Sequence, residues 1–178
     1  MSTKQERIEY RDRLVQFAND LGFDVELDSP MPDYDEKREQ WKVALRKALD
    51  SGELSQKDFD EHIDDEQRPA GDCNYLESRI RVREGKGLNG QIATLAHELC
   101  HALAFGGISL FSMLGSSYNE LACESVTELV CRACGVDRTA KTSNRILDYG
   151  FGAYLISPAT VLVTEIILDN IGLKLEIE

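Results

Sequence analysis

Residues 97–101, His-Glu-Leu-Cys-His, are the feature that most constrains how this chain can fold. Residues four apart lie on one face of an α-helix, so His97 and His101 meet if this segment is helical. Two imidazoles at that spacing can bind one Zn²⁺ together, and Glu98 between them has the position of a general base. The motif therefore predicts a helix that carries a metal site.

The surrounding sequence supports a helix at this point. Apolar residues recur every three or four positions over residues 90–104, which predicts an amphipathic helix packed on a core. That stripe consists of Ile92, Leu95, Leu99 and Leu103. Similar spacing predicts further helices over residues 118–134 and 158–169, the last with a proline in its first turn. The chain is thus expected to be rich in helix around the motif.

A catalytic zinc site needs a third protein ligand and one open position. The helix predicted next along the chain offers three carboxylates four residues apart, namely Glu120, Glu124 and Glu128. We predict Glu120 as the ligand, because the 18 residues between it and His101 match the spacing of His-His-Glu zincins. Glu124 is the alternative ligand, and otherwise accepts a hydrogen bond from a ligand histidine. Ser117 and Glu120 also fit a capping box, in which Glu120 would only close the helix start.

In such a site Glu98 is the expected catalytic residue. Zinc lowers the pKa of its water to about 7 and polarises the scissile carbonyl. Glu98 then takes a proton from the zinc-activated water and gives it to the leaving amine. Zincins often add a tyrosine or histidine that stabilises the oxyanion, and Tyr118, Tyr149 and Tyr154 are candidates that the sequence does not rank.

The HELCH motif, the later segment NELACES and the preceding segment SRIRVRE resemble the gluzincin zinc metallopeptidases. More narrowly, they are similar to the ImmA/IrrE-like and ArdC-like metallopeptidase domains of phages and bacteria, over residues 74–170. The resemblance implies an α+β, zincin-like fold, mostly helical, with a small β-sheet beside the HExxH helix. It also implies one zinc ion and a protein or peptide substrate. Cys123 stands where those proteins usually have alanine.

Residues 78–84 alternate two apolar residues with three arginines, which predicts a half-buried strand. The apolar pair is Ile80 and Val82, and the arginines are Arg79, Arg81 and Arg83. We interpret the arginine face as solvated. In the resembling family this strand lies at the sheet edge, where an extended peptide can pair with it, and the arginines would then favour an acidic substrate.

The N-terminal third matches no family that we can name. Helices are predicted over residues 4–21 and 35–49, and a loop over residues 24–35 because it has two prolines and many acids. We therefore divide the chain into a helical, acidic region at 1–70 that packs on the core, and a zincin-like metallopeptidase core at 71–178.

Composition limits the remaining function classes. The chain has 178 residues and a formal charge of −12, which argues against direct binding of nucleic acid. Five scattered cysteines, a charged N-terminus and no long apolar run predict a cytoplasmic protein without a membrane segment. The charge also keeps one alternative open, a non-enzymatic acidic interaction protein of the antirestriction, DNA-mimic type with a structural zinc site.

Overall fold

The computed structural model describes a large part of the chain and gives it an α+β fold. The described residues are 2–53, 55–57, 59, 70–105, 116–138 and 157–174. Their helices are α1 (Lys4–Asp20), α2 (Pro32–Asp50), α3 (Leu88–Phe105), α4 (Ser116–Ala133) and α5 (Pro158–Ile171). Their strands are β1 (Asp24–Ser29), β2 (Gly71–Asn74) and β3 (Arg79–Arg83).

Helix α1 begins and packs as its sequence predicts. The Thr3 hydroxyl accepts a hydrogen bond from the Glu6 backbone N–H, and the Glu6 carboxylate accepts one from the Thr3 N–H. This capping box satisfies two of the N–H groups that a helix start leaves without partners. Leu14, Phe17 and Ala18 are buried, and α1 packs against α3 and α5.

The loop predicted over residues 24–35 is wrong. Asp24–Ser29 form strand β1, in which Val25 and Leu27 alternate with acidic residues and pack on the core. The prolines do not break this strand because they follow it, and Pro32 starts α2, three residues before the predicted start at residue 35.

The prediction that residues 78–84 form a strand is confirmed, but its expected place at the edge is wrong. The strand order is β1-β3-β2, so β3 is central, parallel to β1 and antiparallel to β2. The solvated arginine face is also wrong, because Arg81 and Arg83 are buried. Arg81 donates to Asp33 and Asp72, and Arg83 donates to Asp35. Acidic partners far along the chain therefore compensate the burial of these charges.

Helix α2 is attached to the molecule mainly at its start. None of its residues is buried, and Trp41 on its apolar stripe is 40% exposed. The two acids that pair with Arg81 and Arg83 lie in its first turn. Among the described residues, two arginine–aspartate pairs thus hold the start of this helix, and further along it Arg46 lies over the ring of the buried Phe59, with 4.6 Å between its Cζ atom and the ring centroid.

The core lies between α1, α3, α4 and α5, with the sheet packed against α3. The predicted apolar stripe of α3 is buried, and the helices predicted over 90–104, 118–134 and 158–169 are confirmed with slightly different bounds.

Among the described residues, every helix is too short or too polar to cross a lipid bilayer. The predicted boundary between the N-terminal region and the core, at residue 70, comes directly after residues 60–69. Those residues lie outside the described part of the chain, so this division stays a prediction.

Candidate metal centre

Helices α3 and α4 bring the predicted metal ligands together. His97 and His101 lie on the same face of α3, and their side chains are 15% and 16% exposed. Glu120 lies in the second turn of α4, which packs along α3. Because both helices bury apolar stripes against each other, the position of these three side chains is fixed by the core.

The three donor groups form a compact triangle. His97 Nε2 lies 3.1 Å from His101 Nε2 and 3.4 Å from Glu120 Oε2, and His101 Nε2 lies 3.4 Å from Glu120 Oε1. Ligand atoms at about 2.0–2.1 Å from a tetrahedral zinc are about 3.3 Å from one another. The two Glu120 distances end on different oxygens of one carboxylate, so two imidazole nitrogens and this carboxylate lie close enough together to bind one zinc, and they are ligands that zinc accepts. Among the described residues, this group alone has three such side chains within metal-binding reach.

Glu98 is next to the triangle but is not part of it. Its side chain lines the same cleft as the two histidines and is buried, with 6% of the residue exposed. Burial raises the pKa of the Glu98 carboxyl, and the neighbouring histidines oppose that shift. A carboxylate in such surroundings binds a proton more readily than one in water, which suits proton transfer.

Glu124 is fully buried behind His97. Its Oε1 lies 3.6 Å from His97 Nδ1, a buried nitrogen that has no hydrogen-bond partner at normal distance. On the other side, Arg138 Nη2 donates to Glu124 Oε2 at 3.2 Å. Glu124 therefore lies beside the outer nitrogen of His97, the position from which a carboxylate orients a ligand histidine. The geometry gives no support to the alternative in which Glu124 replaces Glu120 as the ligand.

The outer nitrogen of His101 has a different neighbour. Cys123 Sγ lies 3.6 Å from His101 Nδ1, and Cys123 is almost completely buried. Its thiol also forms a hydrogen bond with Cys100, and this bond together with burial raises the pKa of Cys123 well above its usual value. The side chain next to His101 is thus a protonated thiol rather than a carboxylate.

The two histidines both have raised pKa values. Burial acts to lower the pKa of His97, but its hydrogen bond with Glu120 and the nearby carboxylates outweigh burial. For His101 burial is again opposed, first by the hydrogen bond with Cys123. Without a cation the cluster therefore favours protons on its imidazoles, as expected where several carboxylates converge.

The cluster lies in an open cleft of about 510 Å³, a size typical of ligand sites. Strand β2 forms one wall and α3 the other, and Tyr34 from the first turn of α2 also lines the cleft. The lining residues with polar or reactive side chains are Tyr34, Asp72, Cys73, Tyr75, Lys86, Thr94, His97, Glu98, His101, Glu120, Glu124 and Arg138.

Comparisons with protein-family models, curated proteins and solved structures found no match to this chain.

Several neighbours of the site have no signal in the local sequence. Arg138 follows Glu124 by 14 residues and lies beyond the turn that ends α4, and Tyr75 lies in the turn between β2 and β3. The tyrosines considered from the sequence, Tyr149, Tyr154 and the side chain of Tyr118, lie outside the described residues, as does the Ser117 side chain of the capping-box alternative.

Proposed function

We propose that this chain is a cytoplasmic zinc-dependent metallopeptidase with a zincin-like fold. His97, His101 and Glu120 hold one Zn²⁺, and Glu98 is the general base. The observation that carries the proposal is the closeness of the three groups: the two Nε2 atoms are 3.1 Å apart, and each lies 3.4 Å from one oxygen of the Glu120 carboxylate, separations close to those between ligands of a tetrahedral zinc. The five cysteines are free thiols, which supports a reducing compartment.

When bound, zinc supplies a Lewis acid that acidifies water and polarises the substrate carbonyl. Glu98 accepts the proton of the attacking water and passes it to the nitrogen of the leaving amine. Glu98 lines the cleft and is only 6% exposed, which limits its contact with bulk water. Glu124 keeps His97 oriented, and Arg138 compensates the charge of that buried carboxylate.

The proposed substrate is an extended segment of a protein or peptide. Among the described strands, β2 pairs only with β3, so its other edge is available for backbone hydrogen bonds. Gly71, Asp72 and Cys73 of this strand line the cleft next to the histidines. A peptide that adds a strand to β2 would therefore place one of its carbonyl groups beside the metal centre.

The decisive experiment compares the zinc-loaded protein with its Glu98→Gln form. Both are incubated with cell lysate, and newly formed peptide N-termini are identified by mass spectrometry. We expect Glu98→Gln to retain one zinc and to lower cleavage at least about 100-fold, because the general base is lost. His97→Ala should lose both zinc and cleavage. Equal cleavage by the wild type and Glu98→Gln would exclude the enzyme and leave the acidic interaction protein with a structural zinc.

A second comparison tests the choice of third ligand. Glu120→Gln removes the anionic ligand atom and should lower zinc affinity by at least about 10-fold, as measured by competition with a chromogenic chelator. Glu124→Gln keeps an acceptor oxygen beside His97 and should have the smaller effect. A larger loss in Glu124→Gln than in Glu120→Gln would reverse the two roles.

A further inference from the structure

The two proposed ligand histidines are supported in chemically different ways. His97 faces the carboxylate of Glu124, at 3.6 Å from its outer nitrogen. His101 faces the thiol of Cys123, also at 3.6 Å from its outer nitrogen. Because sulfur has a larger atomic radius, a separation of 3.6 Å is within hydrogen-bonding distance for a thiol. The same separation is slightly too long for a hydrogen bond to oxygen.

We propose that Cys123 is a positioning residue of the metal centre, whose sulfur accepts a hydrogen bond from His101 Nδ1–H and so directs His101 Nε2 towards the zinc. This inference rests on the proposed function. A neutral imidazole has one N–H and one lone pair, and only the nitrogen with the lone pair can bind a metal. Since His101 Nε2 faces Glu120 and His97, the proton belongs on Nδ1, which then donates to Cys123.

The surroundings of Cys123 hold its sulfur in that place. The residue is 1% exposed, and its thiol forms a second hydrogen bond with Cys100, which is completely buried on α3. The Cys123 thiol is therefore held between Cys100 and the ring of His101. An alanine at this position, as in the resembling family, would leave the His101 N–H without this acceptor.

Cys123 is distinct from a fourth metal ligand. Its sulfur contacts Nδ1, and the two nitrogens of an imidazole point in different directions, so the sulfur lies away from the triangle formed by the Nε2 atoms and Glu120.

The test measures metal affinity in zinc-free and zinc-loaded full-length protein. Cys123→Ala should weaken Zn²⁺ binding by about 10-fold in chelator competition, the lower end of what loss of a partner to a ligand histidine costs. Cys123→Ser supplies a hydroxyl acceptor and should restore affinity to within about 3-fold of the wild type. Cys134→Ala is the matched control, since this thiol is equally buried but is not near the histidines.

Two further readouts separate positioning from other roles. With Co²⁺ in place of zinc, the wild type should show no thiolate-to-cobalt charge-transfer band, and its ligand-field bands should shift in Cys123→Ala but not in Cys134→Ala. The unfolding free energy of the zinc-free variants shows whether a loss of affinity only reflects a damaged core. Cys123→Ala and Cys134→Ala should be destabilised to a similar degree.

The outcomes are distinct. If the wild type binds zinc and Cys123→Ala binds it equally well, the positioning role is refuted while the peptidase proposal stands. A charge-transfer band that disappears in Cys123→Ala would make Cys123 a direct ligand and also refute the inference. If Cys123→Ser binds zinc as weakly as Cys123→Ala, the hydrogen bond is not the cause. Failure of the wild type to bind zinc at all would overturn both proposals.

Discussion

Glu124 combines complete burial with two polar neighbours of different kinds. Its carboxylate receives a hydrogen bond from Arg138 at 3.2 Å, and His97 Nδ1 lies 3.6 Å away on the other side. Transfer of a carboxylate from water to the interior of a protein costs several kcal/mol unless an opposite charge compensates it. Arg138, whose side chain is only 11% exposed, provides that charge.

Arg138→Met should therefore destabilise the protein strongly. We expect the free energy of unfolding to fall by about 3 kcal/mol or more, because the variant leaves a buried carboxylate without its cation. Urea denaturation followed by circular dichroism measures the change. The double variant Glu124→Gln/Arg138→Met should lose less than the sum of the two single variants, since the charge is then absent.

The control for Arg138 is the exposed ion pair between Lys42 and Glu39 on α2. Lys42→Ala should change the unfolding free energy by no more than about 0.5 kcal/mol, because solvent screens such a pair. Equal stability of Arg138→Met and the wild type would mean that the buried carboxylate is compensated by other groups.

Strand β2 depends on one glycine for its position between β3 and α3. A Cβ atom on Gly71 would lie 2.4 Å from the carbonyl oxygen of Arg81 and 2.4 Å from Cγ2 of Thr94. Any side chain there forces β2 away from its neighbours. Since Gly71 also lines the cleft, such a shift would change the wall along which we propose that substrates bind.

Gly71→Ala is expected to destabilise the fold by about 1–3 kcal/mol, the usual cost of overpacking. Gly87→Ala is the matched control, because a Cβ there meets no atom within 4 Å and should leave stability within about 0.5 kcal/mol of the wild type. Thermal or urea unfolding of both variants measures the difference. A fully stable Gly71→Ala protein would show that β2 can move without cost.

Elements defined by local chemistry could be predicted from the sequence. The capping box of Thr3 and Glu6 places the start of α1, and Pro158 begins α5 as expected. Strand β1 is not predicted although Val25 and Leu27 alternate with acids, because the acids and the following prolines favour a loop. The alternation was the better guide.

Features that depend on pairing between distant segments could not be predicted in this way. The central place of β3 and the burial of Arg81 follow from partners up to 48 residues away, and no local pattern encodes them. On α3 the spacing of the two histidines predicted that they share one face, and the structure places the Glu120 carboxylate 3.4 Å from both, while the binding of a metal there stays a prediction. The pairing of Arg138 with Glu124 and the contact of Cys123 with His101 depend on how the chain packs around α3 and α4, so the local sequence does not predict them.

For the entire chain, zinc should act as a stabilising ligand. At a free concentration 100 times the dissociation constant, a ligand that binds only the folded state adds about 2.7 kcal/mol. For a chain of this length we expect the melting temperature to rise by roughly 5–10 °C. Differential scanning fluorimetry with zinc, and then with excess EDTA, measures the rise and its reversal.

The specificity of this effect can be checked in the same assay. His101→Ala should show no zinc-dependent rise, and Mg²⁺ should have little effect on the wild type, because a site with two imidazoles does not favour that ion. An equal response of His101→Ala to zinc would locate the stabilising ion elsewhere in the chain.

Trp41 is the only tryptophan of the chain, and it lies on α2, the helix that buries none of its residues. Intrinsic fluorescence of this protein consequently reports on that helix and not on the apolar interior. If only tryptophan emission were followed, detachment of α2 would look like unfolding of the entire protein. Used together with circular dichroism, the same signal becomes a label-free probe of how firmly two arginine–aspartate pairs hold α2 in place as ionic strength rises.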